Sequence, residues 1–163
     1  LTATGKIDRA ELGQPDRVFG LLQSAGGVLT IGAMLPMALV IDRVRPPVLC
    51  GSVAVVAGAA CALMGAGSSL PVSAAAYAVF LPFCFAFIAP SFLWMSRAAG
   101  PVPQSAVFGI HKILSAVYIA AATGLAGILE PLVGIGNILL FGGLLGIAAG
   151  IRLFRLPAPA GAG

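Results

Sequence analysis

The sequence predicts an all-α integral membrane protein with five transmembrane helices. Three observations carry that expectation. Of 163 residues, 60% are hydrophobic and only 9% charged, where soluble domains carry about 25% charged residues. The mean hydropathy is +1.07. The apolar residues fall into five runs, each close to the roughly 20 residues a helix needs to cross a bilayer. Barrel strands would be about ten residues long and strictly alternating. These runs are longer and do not alternate, so helices are expected.

Residues 1–17, "LTATGKIDRAELGQPDR", form a polar segment ahead of the first span. The bundle then covers residues 18–156, with spans expected at about Val18–Ile41, Val48–Ala66, Val72–Met95, Ala106–Leu129 and Gly136–Phe154. Residues 157–163 make a short tail. The breaks carry turn chemistry: "DRVRPP", "GAGSSLP", "RAAGPVPQS" and "EPLVGIGN". In the first break Asp42, Arg43 and Arg45 lie within four positions, followed by Pro46 and Pro47. One charge at a helix centre costs about 2.5–3.5 kcal/mol on the insertion scale. Three therefore belong in water, and prolines, lacking an N–H, are expected to end the helix.

Basic residues orient the spans. Arg43, Arg45, Arg97, Arg152 and Arg155 all fall on one side, and the opposite loops hold no Lys or Arg. The positive-inside rule places the 42–47 loop and the C-terminus in the cytoplasm of a multi-pass cell-membrane protein. Residues 1–17 then lie outside. There is no signal peptide and the chain starts at Leu1, so a preceding span in a longer parent chain is expected.

Polar residues are segregated by helix. The second and fifth spans are almost wholly apolar or small. The first carries Gln23 and Thr30, seven apart and so on one face. The third carries Tyr77 and ends near Ser91 and Trp94, and the fourth carries His111, Lys112, Ser115, Tyr118 and Thr123. His111, Ser115 and Tyr118 follow i, i+4, i+7 and make one stripe. Polar groups in membranes face protein or a wet cavity, so spans one, three and four are expected to line something. The alternative is plain hydrogen bonding between helices. Lys112 is placed to snorkel to headgroups. His111 is either satisfied locally or a proton-coupling group.

Gly142, Gly146 and Gly150 form a doubled GxxxG in the fifth span, expected to admit a close neighbour helix within the fold, with a homodimer contact as the alternative. Pro82 and Pro90 permit a kink in the third span. Cys50, Cys61 and Cys84 lie in apolar runs with no CxxC pattern and read as small core residues. No metal or cofactor site and no nucleic-acid stripe is read. HExxH, GxSxG and paired carboxylates do not occur in the spans, so an enzyme is not expected.

"ALVIDRVRPP" resembles the cytoplasmic signature of the major facilitator superfamily, Gly-x-Leu-Ala-Asp-Arg-x-Gly-Arg-Arg, in the weaker copy that follows the family's eighth helix. Asp42 and Arg43 match; Ala38 and Arg45 stand at the two glycines, and Pro46 and Pro47 at the basic pair. "GPVPQSAVFGIHKI" is similar to the loop before helix eleven, with Gln104 and Ser105 where an arginine is expected. The likeness covers nearly the whole chain and makes it the C-terminal half, helices eight to twelve, of a partial major-facilitator-type bundle. Helices eight, ten and eleven of that family line a central cavity, matching the segregation above.

The resemblance implies a secondary transporter of a small solute, symporter or antiporter, working by alternating access. Its partners would be the solute, membrane lipid and the N-terminal half of the same transporter. Gln23, Thr30, Tyr77, Ser115 and Tyr118 would touch substrate, and Asp42 and Arg43 would gate. Aromatic-acid symporters and drug exporters share this pattern. The rival reading is a small non-transporting scaffold or assembly subunit packed through the fifth span.

Overall fold

The structure, a computed structural model, describes residues 9–67 and 69–156; the side chains of residues 9–19, 21–23 and 70 lie outside the described set. Among the described residues there are six helices: α1 (Arg9–Val40), α2 (Pro46–Ala66), α3 (Leu70–Ala86), α4 (Ile88–Ala99), α5 (Gln104–Val133) and α6 (Ile135–Leu153). Among the described residues four stretches are long and apolar enough to cross a membrane: Pro46–Ala66, Pro71–Ala99, Gln104–Val133 and Ile135–Leu153. The first expected span, Val18–Ile41, corresponds to the shorter apolar stretch Ser24–Val40 of α1. Large apolar side chains stand exposed on all of these helices, Leu39 at 75% and Leu132 at 76% among them. Such a surface aggregates in water and is at ease in lipid.

Helix boundaries differ from expectation in three places, each for a backbone reason. α1 is already helical at Arg9, so the second half of the segment read as a polar loop belongs to the helix. Residues 1–8 and the tail 157–163 lie outside the described residues. Pro46 and Pro47 open α2 instead of closing α1, which ends at Val40, and both prolines are buried. The first helical turn has no use for an N–H donor, so proline fits there with its φ already helical. α5 continues through Glu130 and Pro131 to Val133, leaving Gly134 as nearly the whole turn. Gly134 has φ +78° and gives its N–H to Glu130 O at 2.8 Å. A side chain there would strain the turn.

The third span runs straight through Pro82 but breaks into α3 and α4 at Phe87. Pro90 has no N–H to offer Ala86 O, four residues earlier. The flanking bonds persist, from Phe87 N to Phe83 O at 3.1 Å and from Ser91 N to Phe87 O at 3.2 Å. Phe87 keeps helical angles, φ −68° and ψ −26°, so the break is one missing hydrogen bond in a continuous span.

The centre of the fold is the seam between α2 and α6. Gly51, Gly58 and Gly65 of α2 meet Gly150, Gly143 and Gly136 of α6 in turn. Each step of seven down one helix matches a step of seven up the other, so the pair is antiparallel. A repeat of seven keeps one stripe facing its partner when helices wrap left-handedly. With hydrogen in place of a side chain, the two backbones come into direct contact. A Cβ added to Gly58 would lie 2.7 Å from Gly143 O and Ile147 N. One added to Gly51 would lie 2.8 Å from Gly150 O. Cys61 lends a cross-link, its thiol pointing at Leu139 O at 3.3 Å. Cys50 is buried as expected of a small core residue, whereas Cys84 is exposed.

The expected GxxxG is thus only partly used. Gly146 and Gly150 face α2, but a Cβ on Gly142 would meet nothing within 4 Å. The neighbour is α2 of the same chain, in agreement with packing inside the fold.

Around this seam the other helices attach unequally. Among the described residues α3 and α4 pack on α2, α1 packs on α3 alone, with Gly26 seated against the Leu81 side chain, and α5 touches only α4 and α6. Short turns make successive spans antiparallel. The turn holding Asp42, Arg43 and Arg45, the end of α4 with Arg97, and the end of α6 with Arg152 and Arg155 therefore share one end of the bundle. Cysteines placed at Ser69 and Glu130 are expected to react with an impermeant maleimide in intact cells, and cysteines at Arg43 and Arg155 only after permeabilisation. Labelling of Arg43→Cys and Arg155→Cys from opposite faces would refute this arrangement.

Candidate functional site

The sequence nominates one face made by α1, the α3–α4 span and α5. On the α1 side, Thr30 is half-buried and donates its hydroxyl to Gly26 O at 2.7 Å. The backbone of Gln23 lies in α1, and its side chain lies outside the described residues. On α3, Tyr77 is half-buried. On α5, Ser115 is half-buried and donates to His111 O at 2.8 Å. Tyr118 is 74% exposed. Thr30 and Ser115 thus satisfy their hydroxyl protons on their own helices, a common solution for a short hydroxyl in a helix. Their oxygens keep a lone pair free to accept from a ligand.

The expected stripe on α5 is graded in burial. His111 is 8% exposed, Ser115 intermediate and Tyr118 open. The reason is the attachment of α5. Its first two turns rest on α4, through Val107 and His111, and beyond them the helix has no neighbour until it approaches α6. The stripe leaves the protein surface as the helix rises. α1 and α5 do not touch each other among the described residues, and the nominated residues are not brought into contact with one another there.

His111 is the best-defined polar group of the set. Its Nε2 lies 2.9 Å from Ser91 Oγ, and Ser91 Oγ also donates to Ile88 O at 2.9 Å. Phe92 stands edge-on to both Phe108 and His111, with centroids 5.7 and 6.2 Å away. Lys112, next along, places Nζ 5.3 Å from the centre of the Phe108 ring, a cation–π approach at the exposed edge of the cluster. Sequence reasoning singled out Ser91 and His111 separately but did not pair them. The short turn between α4 and α5 brings the two residues together.

The signature residues Asp42 and Arg43 are exposed in the α1–α2 turn. Arg43 N bonds to Val40 O at 2.9 Å and Val44 N to Val40 O at 3.1 Å, so the turn is tied to the last turn of α1. Both side chains are free to meet a facing surface.

A groove of about 480 Å³ lies between α2 and α3, lined by Val55, Val56, Leu63, Val72 and Val79 with neighbouring alanines. A wall this apolar suits an acyl chain and has nothing to orient a polar solute. Among the described residues no three His, Cys, Asp or Glu side chains gather closely enough to hold a metal ion.

No family model matches the chain, and no curated protein and no solved structure matches it.

Proposed function

We propose that this chain is the C-terminal half of a multi-pass secondary transporter that moves a small solute by alternating access. One observation carries the reading. α2 and α6 pack backbone to backbone, whereas among the described residues α1 meets α3 alone and α5 leaves its middle turns, Tyr118 among them, exposed. A rigid outer pair with two half-attached helices beside it is what one wall of a central pathway requires, the other wall being the N-terminal half. The Asp42–Arg43 pair at the end of α1 supports the same reading through its resemblance to the facilitator signature.

In this mechanism Gln23, Thr30, Tyr77, Ser115 and Tyr118 contact solute. Asp42 and Arg43 hold the cytoplasmic side closed through charge contacts with the facing half. The membrane is the cell membrane, with the Arg43 turn and the C-terminal end inside. The alternative is a scaffold or assembly subunit packed through α6, where Gly146 and Gly150 face α2 and Gly142 does not.

The test is Asp42→Asn in the transporter complete with the helices that precede this chain. Removing one closing charge contact is expected to shift the balance of inward- and outward-open states by about 1 kcal/mol, roughly fivefold. The readout is impermeant-maleimide labelling of a cysteine at Tyr118 from each face. Equal labelling ratios in D42N and the parent would rule out the gating role. Absence of any upstream coding sequence for further helices would remove the transporter reading itself.

A further inference from the structure

We propose that the arginine-bearing end of the α2–α6 pair is a binding surface for the anionic headgroups of membrane phospholipids. Its residues are Arg43 and Arg45, in the turn that leads into α2, and Arg152 and Arg155, at the end of α6. All four are exposed. The glycine seam fixes how they stand. Gly51 meets Gly150, Gly58 meets Gly143 and Gly65 meets Gly136, so one register holds throughout. Six positions back from Gly51 is Arg45, and six on from Gly150 is Leu156. Arg45 and Arg155 therefore lie at about the same depth. Phe154 agrees with this register: a Cβ on Gly51 would lie 3.0 Å from its ring, so the last turn of α6 is laid on α2. Arg152 stands two positions, about 200°, round the helix from Gly150. It points away from α2, between Ile151 and Leu153, where its stem can lie along apolar surface and its head reach the headgroups.

The charge at this end is one-sided. Asp42 is the single carboxylate there among the described residues, and Glu130 lies near the far end of α5. Arg97, exposed in the last turn of α4, adds positive charge to the same end. The affinity for an anion belongs to the side chains and not to the start of α2. Pro46 and Pro47 have no N–H to give, and Val48 N and Leu49 N are already bonded to Arg45 O at 3.0 and 3.1 Å. A guanidinium presents a planar fork that fits two phosphate oxygens at once.

The apolar surroundings select a lipid over a soluble phosphate. Ile151, Phe154 and Leu156 are exposed beside the arginines. A free phosphate gains nothing from them, whereas a phospholipid lays its glycerol and upper acyl chain there. Basic clusters at the ends of membrane helices attract anionic lipids in this way. The surface goes beyond the transport reading and rests only on these helices lying in a membrane.

The chain has one tryptophan, Trp94. In a Trp94→Phe background, Leu156→Trp reports lipid at the arginine end, and Ile135→Trp reports lipid at the other end of α6, both at exposed positions. Each 163-residue variant is reconstituted in vesicles of phosphatidylcholine and phosphatidylglycerol, one or the other brominated on its acyl chains to quench the indole. Phosphatidylglycerol is expected to be preferred about fivefold or more at Leu156→Trp and not at Ile135→Trp. One arginine near the membrane surface is worth about fivefold in affinity for anionic lipid, so adding Arg45→Gln and Arg155→Gln should remove most of the preference. Salt at about 1 M, where the screening length falls to about 3 Å, should do the same with the arginines in place. Equal quenching by the two lipids at Leu156→Trp would overturn the proposal, as would an equal preference at Ile135→Trp or a preference unchanged by the two glutamines. If the glutamine variant does not fold, a preference unchanged by salt overturns it instead. Quenching by neither lipid at either position would overturn the membrane placement, and the proposal with it.

Discussion

Replacing Gly58 with leucine will separate α2 from α6 and prevent the bundle from forming. The added side chain has nowhere to go, since even its Cβ would sit 2.7 Å from Gly143 O and Ile147 N, both backbone atoms. Gly58→Ala is the graded version. Overpacking a tight core by a single carbon costs about 1–3 kcal/mol, and here no flexible side chain can give way. The matching change from the other side, Gly143→Ala, meets the backbone of Ala62 and Gly58 and should cost as much. Gly142→Ala and Gly124→Ala serve as controls, because a Cβ at either meets nothing within 4 Å. Alanine outranks glycine in a helix by about 1 kcal/mol, so both controls should hold or gain stability. Unfolding midpoints in detergent, followed by circular dichroism, separate the two sets. Equal midpoints for Gly58→Ala and Gly142→Ala would mean that the seam does not hold the fold together.

The second large effect is expected at Tyr118, and it concerns function with no change in stability. Its side chain is 74% exposed in α5. Surface substitutions of this kind move stability by no more than about 0.5 kcal/mol, so Tyr118→Phe should express and unfold like the parent. If Tyr118 hydrogen-bonds the solute in the complete transporter, loss of the hydroxyl costs about 1–1.5 kcal/mol of binding, roughly tenfold in affinity. Replacement of Gln23, on α1, should act in the same direction. Uptake kinetics of the transported solute decide the matter. An unchanged affinity and specificity in both variants would remove these residues as the substrate site.

Much of the architecture could be read from hydropathy. α2 and α6 fall within two residues of their expected limits, because each is bounded by charged or glycine-rich turns that a lipid-exposed helix cannot include. The interruption at Phe87 follows from Pro90, whose missing donor removes one bond from the helix ladder. What escaped was information carried by longer spacings or by two helices together. The GxxxG spacing directed attention to Gly142, yet the seam uses glycines seven apart on both α2 and α6. Neither set stands out alone, and the match appears only when the two are laid antiparallel. Pro46 and Pro47 were legible in principle as a helix start, since the first turn tolerates proline, but the adjacent charges favoured reading them as an end. The candidate site was less legible than the fold. Residue type and helical face nominate Thr30 and Ser115, while the carbonyl four residues back claims their hydroxyl protons. The pairing of His111 with Ser91 joins residues on two helices, and no local pattern encodes it.

The glycine seam also bears on how the protein is made. α2 is synthesised well before α6, with α3, α4 and α5 emerging between them. During that interval its bare backbone stripe has no mate in the bilayer. A ribosome adding about 5–20 residues per second leaves the stripe open for several seconds, a period in which another small-residue helix could dock on it. Assembly is thus completed by the arrival of α6, which closes the stripe along its whole length.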